Sequence, residues 1–552
     1  MMKKRSRLEV WNLVAWGILL LYVIFLVLPL FKVLQQSVSD SETKFTLKYF
    51  QKFFGDYYYL STLVNSFKVS FVVMVISLVL GIPLAYFYNL YKMRGAKFLQ
   101  IVIILCSMSA PFIGAYSWIL ILGRNGLITK FIRNLIGVQL PPIYGFKGIV
   151  IALTCRMFPM VFLYTQGALK SIDNTLLEAS TNLGATEFER FWKVVLPLCM
   201  PSILASALLV FMRSMSDFGT PLLIGEGYRT FPVEIYNQFL GETSRNYSFA
   251  SAIAVVAIII TALVFFFQKF VASKFKFTIN AMHTIEQKKA KPVKNVFVHI
   301  YAYLLITIAM APQLYLTYSS FRKTNSTGEV FMKGYSLHSY ELALKKHIPS
   351  IWNTFRLGII SVALVIALAV LVAYLVVRRP GIKSHTIDTL SMVPYIIPGS
   401  VVGIALIMAF NTRPLVLTGT MAILVVAMMI RRIPYTIRSS VAILGQIPIS
   451  VEEAARSLGT TDMGAFWKIT VPMMSNGIIS GGLLSWITII TEMSSSIMLY
   501  SARSITLTVS TYFYVSRGAD GPAAALATIL TVFTIVSLAV FMRVSKNKDV
   551  TM

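Results

Sequence analysis

The chain is poor in the residue types that carry enzymatic chemistry. Among 552 residues there are 3 cysteines and 5 histidines. Cys106, Cys155 and Cys199 lie in or beside apolar runs and lack metal-ligand spacing, so neither a disulfide nor a metal site is expected. No G-x-x-x-x-G-K-[ST] phosphate loop occurs, so the chain is not expected to hydrolyse ATP itself. No nucleophile–base set accompanies the few histidines, which argues against a membrane enzyme. Acidic residues are scarce as well, 22 against 50 lysines and arginines, giving a net charge of +28. That excess would suit a nucleic acid partner. The better explanation is that basic residues gather in short cytoplasmic loops, so no nucleic acid is expected.

What the chain has in abundance is apolar length. Hydrophobic residues make up 56% and charged residues 13% of it. A soluble domain cannot bury that much apolar surface. The long runs instead suit membrane spans of about 20 residues each. Because they are continuous rather than alternating, they are expected to be helices. The spans are read at 11–34, 63–88, 98–122, 147–168, 200–224, 247–272, 296–318, 351–377, 385–410, 417–434, 475–500 and 521–543. The first run is too long for a signal peptide and has no clear cleavage site. Lys3, Lys4, Arg5 and Arg7 before it, and Lys546-Asn547-Lys548 at the other end, place both termini in the cytoplasm.

One stretch occurs twice. Residues 175–197 read T-L-L-E-A-S-T-N-L-G-A-T-E-F-E-R-F-W-K-V-V-L-P, and residues 450–472 read S-V-E-E-A-A-R-S-L-G-T-T-D-M-G-A-F-W-K-I-T-V-P. Glu178, Gly184, Phe191-Trp192-Lys193 and Pro197 recur 275 positions later as Glu453, Gly459, Phe466-Trp467-Lys468 and Pro472. Thr175 with Glu178, and Ser450 with Glu453, have the spacing of a capping box. Gly184 and Gly459 fall where a helix ends in a left-handed residue. Each copy is therefore expected to be a short helix, a glycine turn and a second segment, with Ala179, Ala454 and Ala455 leaving a small-residue face.

The duplication reaches further. Val64-Asn65-Ser66-Phe67-Lys68 resembles Trp352-Asn353-Thr354-Phe355-Arg356, and Arg156-x-x-Pro159 matches Arg431-x-x-Pro434. Asp217 falls on Glu492. The chain divides into a first half, 1–272, a lysine-rich cytoplasmic linker, 273–295, and a second half, 296–552. Six spans separate the copies, so the halves run in parallel.

The repeated loop resembles the E-A-A-x₃-G-x₉-I-x-L-P motif of the integral-membrane permeases of binding-protein-dependent ABC importers. The first copy departs at Ser180 and Val194, and the second at Val471. The resemblance implies an all-α polytopic membrane protein of the type I ABC importer permease fold, about 12 transmembrane helices in two parallel six-helix repeats. It implies ATPase-coupling helices carrying Glu178, Ala179 and Gly184, and Glu453, Ala454 and Gly459. It also implies a cytoplasmic ATP-binding subunit, in two copies, that holds ATP and Mg. An extracytoplasmic solute-binding protein is implied too, because no such domain is present in the loops. The chain itself would be a multi-pass protein of the bacterial plasma membrane, surrounded by lipid, with no bound cofactor and no enzymatic activity. The fused two-half form resembles the ferric-iron permease group. Phosphonate, sugar phosphate, thiamine and polyamine are the alternative cargoes, and an ion-gradient secondary transporter is the rival class.

Acids at membrane depth are costly and face a cavity or a partner. Asp217 with Ser214 and Ser216, and Glu492 with Thr491, Ser494 and Ser495, are candidates for the translocation path. The competing readings are a structural ion pair, for instance Asp217 with Arg213 one turn away, and an interfacial position. Arg156 and Arg431 are expected to anchor the cytoplasmic ends of their spans. Asn65 and Asn353 are expected to cap helices or to bond between them.

Overall fold

The computed structural model describes residues 2–39, 45–139, 141–241, 246–274 and 285–544. Linker residues 275–284 and the terminal Lys546-Asn547-Lys548 lie outside these. The chain is helical almost throughout; its one sheet among the described residues is the two-stranded hairpin Arg322–Thr324 and Phe331–Tyr335. Among the described residues eight helices are long and apolar enough to cross a membrane, or up to 11 when each of three bent pairs is taken as one span. A further long helix, Met421–Gln446, carries Arg431, Arg432 and Arg438 and occupies the place that Phe146–Lys170 has in the first repeat. It ends 12 positions beyond the expected 434, because those arginines interrupt the apolar run by which its span was read.

Two expected spans are sharply bent. Ala96–Met108 and Pro111–Ile136 meet at 101°, and Ile382–Ile396 and Gly399–Phe410 at 113°. Pro111 and Pro398 stand at these breaks, where a proline forces the residue before it out of helical geometry. The expected spans 200–224 and 475–500 are broken too, after Met215 and after Ile490.

Proline also explains a recurrent irregularity. The π-helical segments Val23–Val27, Phe191–Val195 and Phe466–Thr470 each end two residues before a proline: Pro29, Pro197 and Pro472. A proline inside a helix gives no N–H to the carbonyl four residues back, and its ring crowds that carbonyl. A one-residue π insertion accommodates both.

The structure forms two compact units, and they are assembled differently from the sequence halves. Of the described residues, one comprises those within 54–234 and 259–322, the other those within 2–53, 235–258 and 323–544. In the first, Tyr57–Leu90, Phe146–Lys170 and Leu196–Met215 pack together, and Val69, Val73, Leu153, Met157, Val161 and Val210 fill the core. The leading helix of the second sequence half, Pro292–Ser320, also packs here. Phe297 and Tyr301 lie 6.1 and 5.8 Å from Phe87, and the Tyr301 hydroxyl donates to the Leu80 carbonyl. In the other unit His338–Arg378, Met421–Gln446 and Ser475–Ile490 form the matching trio, joined by the chain's first long helix, Val10–Ser37. Trp11 stacks on Tyr374 at 4.4 Å and meets Phe466 edge-on at 5.2 Å.

Candidate functional site: the repeated loops and the paired helix breaks

The repeated loops form the expected short helices, Asn174–Asn182 and Ser450–Ser457. Glu178, Ala179, Glu453 and Ala454 are exposed, while Ser180 and Ala455 face inward. Gly184 and Gly459 close the helices at φ 80° and 89°, as glycine allows. Leu183 and Leu458, just before these glycines, are each 87% exposed. Two matched leucines standing bare beside two matched carboxylates make a repeated surface with an apolar tip and an acidic flank.

The capping arrangement differs from the expected one. Asp173 caps the first helix by accepting from the Thr175 amide at 3.0 Å, and Glu178 instead accepts from the Asn174 side chain at 2.7 Å. The second helix starts after Ile449 with no side-chain cap; its first turn already forms on the Pro448 and Ile449 carbonyls. The capping box lies one segment on, where Thr186 and Glu189 bond reciprocally at 3.2 and 3.1 Å. In the second copy Thr461 accepts from the Gly464 amide at 3.1 Å. Asp173 lies two residues upstream of the repeated stretch, so the repeat itself does not include the capping residue.

After each glycine turn the Phe-Trp-Lys segment anchors to the core. Phe191 meets Tyr86 edge-on at 4.9 Å, and Phe466 meets Tyr374 at the same distance and nearly the same angle. Trp192 and Trp467 remain about half exposed. The short helices are thus hung from the π-helical segments, and through one aromatic pair each from the long core helices, fully buried in the second copy and partly exposed at Phe191 in the first. Replacing Gly184 or Gly459 by alanine meets no atom within 4 Å, so the cost is purely conformational, about 1–2 kcal/mol. Hydrogen exchange at the neighbouring amides should accelerate about 5- to 30-fold, a direct reading of that cost.

The second constellation lies at the helix breaks. Arg156 Nη1 stands 3.1 Å from Asp217 Oδ2, and Arg431 Nη1 pairs with Glu492 Oε1. Both carboxylates are buried. The arginines are therefore partners of the acids rather than helix-end anchors. Arg213, the partner considered for Asp217, reaches the Met160 sulfur at 3.4 Å instead. Each acid also caps the helix fragment that restarts after the break. Asp217 accepts from the Thr220 amide at 2.9 Å. Glu492 accepts from the Ser495 and Ser496 amides at 3.0 and 3.1 Å and from the Ser494 hydroxyl at 2.6 Å. A broken helix exposes orphan N–H groups, and an anion at the new N-terminus satisfies them.

The remaining polar side chains fit around these pairs. The Ser495 hydroxyl donates to the Gly399 carbonyl at 3.0 Å, and a Cβ at Gly399 would run into Ser494 and the Arg431 guanidinium. The Thr491 hydroxyl turns back to the Ile487 carbonyl at 2.7 Å; Ser216 caps its helix with a backbone bond, and Ser214 is buried nearby. Asn65 donates to the Arg229 carbonyl and Asn353 to the Arg503 and Ile505 carbonyls, tying core helices to loops. Among the described residues no three His, Cys, Asp or Glu side chains cluster as a metal site would require.

Residues 77–277 and 365–548 each match the family described as the inner membrane component of binding-protein-dependent transport systems, so each match contains one copy of the repeated loop. The chain belongs to this family. It is a permease of the ABC importer class, with an all-α polytopic fold built from two six-helix repeats. A ferric transport system permease protein of Actinobacillus pleuropneumoniae is 28% identical over 526 residues, covering 94% of this permease and 75% of that protein. A spermidine/putrescine transport system permease protein of Haemophilus influenzae is 30% identical over 213 residues, 38% of this chain and 73% of its own. A solved bacterial ABC transporter involved in importing the acidic polysaccharide alginate covers 50% of this permease and 100% of that chain, at 16% identity and TM-score 0.43. This permease is thus an inner-membrane, multi-pass transport subunit.

Proposed function

We propose that this permease imports ferric iron delivered by an extracytoplasmic solute-binding protein, with ATP hydrolysed by a separate cytoplasmic subunit bound in two copies. The observation that carries the cargo is the likeness to the ferric transport permease, which runs through both repeats and 94% of the chain. The two ATPase copies would each receive one short helix, Glu178, Ala179 and Gly184 in one and Glu453, Ala454 and Gly459 in the other. Both termini are cytoplasmic in this reading, as the basic loops favour.

The broken segments at Ser214, Ser216 and Asp217, and at Thr491, Glu492, Ser494 and Ser495, border the translocation path. Their carboxylates are held by Arg156 and Arg431 and by backbone amides, so they shape the path more than they ligate cargo. Passage needs contacts weak enough to release, and a hard cation held by free carboxylates would stay. A polyamine is the second reading, favoured by the 30% identity to the spermidine/putrescine permease over 213 residues, 38% of this chain.

The deciding measurement is uptake into proteoliposomes containing the permease and its ATPase, with ferric-loaded binding protein outside. ATP-dependent accumulation of iron, not diminished by excess spermidine, is the expected result. Accumulation of spermidine without iron would replace the first reading by the second.

A further inference from the structure

One loop is closed alike in both repeats and differs in length. In the second repeat the Leu417 and Thr418 amides donate to the Phe410 carbonyl at 2.9 and 3.2 Å. In the first, the Ile143 amide donates to the Leu122 carbonyl at 3.3 Å. Ile143 falls on Thr418 at the offset of 275. The same base is therefore closed over 21 positions, 122 to 143, against 8, 410 to 418. The added length holds a helix, Leu127–Ile136, whereas residues 411–420 hold none.

This helix is two-faced, and it is mounted the wrong way round for water. Leu127, Phe131 and Leu135 recur every four residues and share one face with Ile128. All four are exposed, Phe131 by 63% and Leu135 by 68%. The other face carries Thr129, Lys130, Arg133 and Asn134, and Thr129 is the residue turned inward, at 3% exposure. A helix in water turns its apolar stripe to the core and its polar side out. The fold fixes the base of the loop. Arg124 lies 2.8 Å from Glu226 and 4.8 Å over the Tyr144 ring, and the Gly145 amide donates to the Ile224 carbonyl at 2.8 Å.

The surroundings that suit a bare apolar face on a membrane-spanning chain are acyl chains. A partner protein that came and went would return the face to water at each dissociation, whereas lipid covers it permanently. Charge narrows the lipid. Lys130 and Arg133 are exposed, and residues 125–146 contain no acid to pair with them. Such side chains lay their stems along apolar surface and carry the charge to the headgroup level, where guanidinium and ammonium groups bind phosphate. The helix precedes Phe146–Lys170, whose far end leads into the short helix Asn174–Asn182. It therefore belongs to the membrane face away from that coupling helix.

We propose that Leu127–Ile136 is an interfacial helix that binds anionic phospholipid, with Leu127, Ile128, Phe131 and Leu135 among the acyl chains and Lys130 and Arg133 on headgroup phosphates. The inference rests on the membrane-spanning fold and is independent of the cargo.

The test uses the full permease in nanodiscs of phosphatidylcholine mixed with phosphatidylglycerol. A fluorophore is attached at Phe131→Cys after Cys106, Cys155 and Cys199 are replaced by alanine. Phospholipids carrying a nitroxide on the acyl chain should quench it, and aqueous iodide should not. A label at Leu183→Cys, on the exposed end of the first short helix, should show the opposite pattern. Nitroxide-labelled phosphatidylglycerol should quench position 131 at least about fivefold more effectively than labelled phosphatidylcholine, the worth of one cation at a bilayer surface. Lys130→Gln/Arg133→Gln, both at exposed positions, should bring the two lipids to parity while acyl-chain quenching persists. Equal quenching by the two lipids in the unaltered helix overturns the anionic-lipid site. So does a preference that survives the double variant. Quenching at position 131 by iodide and not by lipid overturns the proposal altogether, and protection from iodide by added binding protein would then make that protein the occupant of the face.

Discussion

Glu492→Leu should destabilise the folded permease by about 3–5 kcal/mol, because it leaves the buried Arg431 guanidinium without its counter-charge. Glu492 also satisfies the Ser495 and Ser496 amides, at 3.0 and 3.1 Å, and these lose their acceptor at the same time. The double variant Arg431→Leu/Glu492→Leu removes the stranded charge but still leaves those amides unmet. It should therefore recover part of the loss and stay about 1–3 kcal/mol below the unaltered protein. Unfolding of all three proteins in mixed detergent, read as a double-mutant cycle, measures the coupling. A double variant as unstable as Glu492→Leu would show that the ion pair is not what holds the break. Asp217 accepts from one amide at 2.9 Å and pairs with an arginine that is more exposed than Arg431. Asp217→Leu should accordingly cost less than Glu492→Leu.

The second large effect is on assembly. Glu178→Arg with Glu453→Arg should reduce recovery of the ATPase with the purified permease at least tenfold, while the permease itself remains inserted and folded. Both carboxylates are exposed, and neither caps its helix; Asp173 does that work in the first copy. Reversing their charge therefore alters the contact surface and spares the helix. The pair Glu178→Gln and Glu453→Gln is the control, with an intermediate loss. Undiminished ATPase recovery with both arginines present would remove these helices from the docking surface.

The repeat made much of this legible in advance. A fixed offset of 275 identified the short helices, their glycine ends and the match of Asp217 to Glu492. It held because the motif is local: six residues from glutamate to glycine carry the helix and its stop together. The pairing of the acids was out of reach by the same logic. Arg156 and Asp217 are 61 residues apart, as are Arg431 and Glu492, and no helical period links such positions. The clue was nevertheless present, since both members of each pair recur at the one offset of 275. The bends before Pro111 and Pro398 were masked by apolar runs that continue straight through them.

The exchange of leading helices bears on how the chain is made. Trp11 is synthesised early, yet the Tyr374 and Phe466 rings it packs between come much later. At about 5–20 residues per second, Trp11 precedes Tyr374 by roughly 20 to 70 s. During that interval Val10–Ser37 sits in lipid without its destined neighbours. Tyr57–Leu90 likewise waits for Pro292–Ser320, whose Phe297 and Tyr301 rings cover Phe87. A ribosome stalled in the linker would release a fragment containing neither unit whole, so biogenesis completes the two units only across the junction of the fused halves.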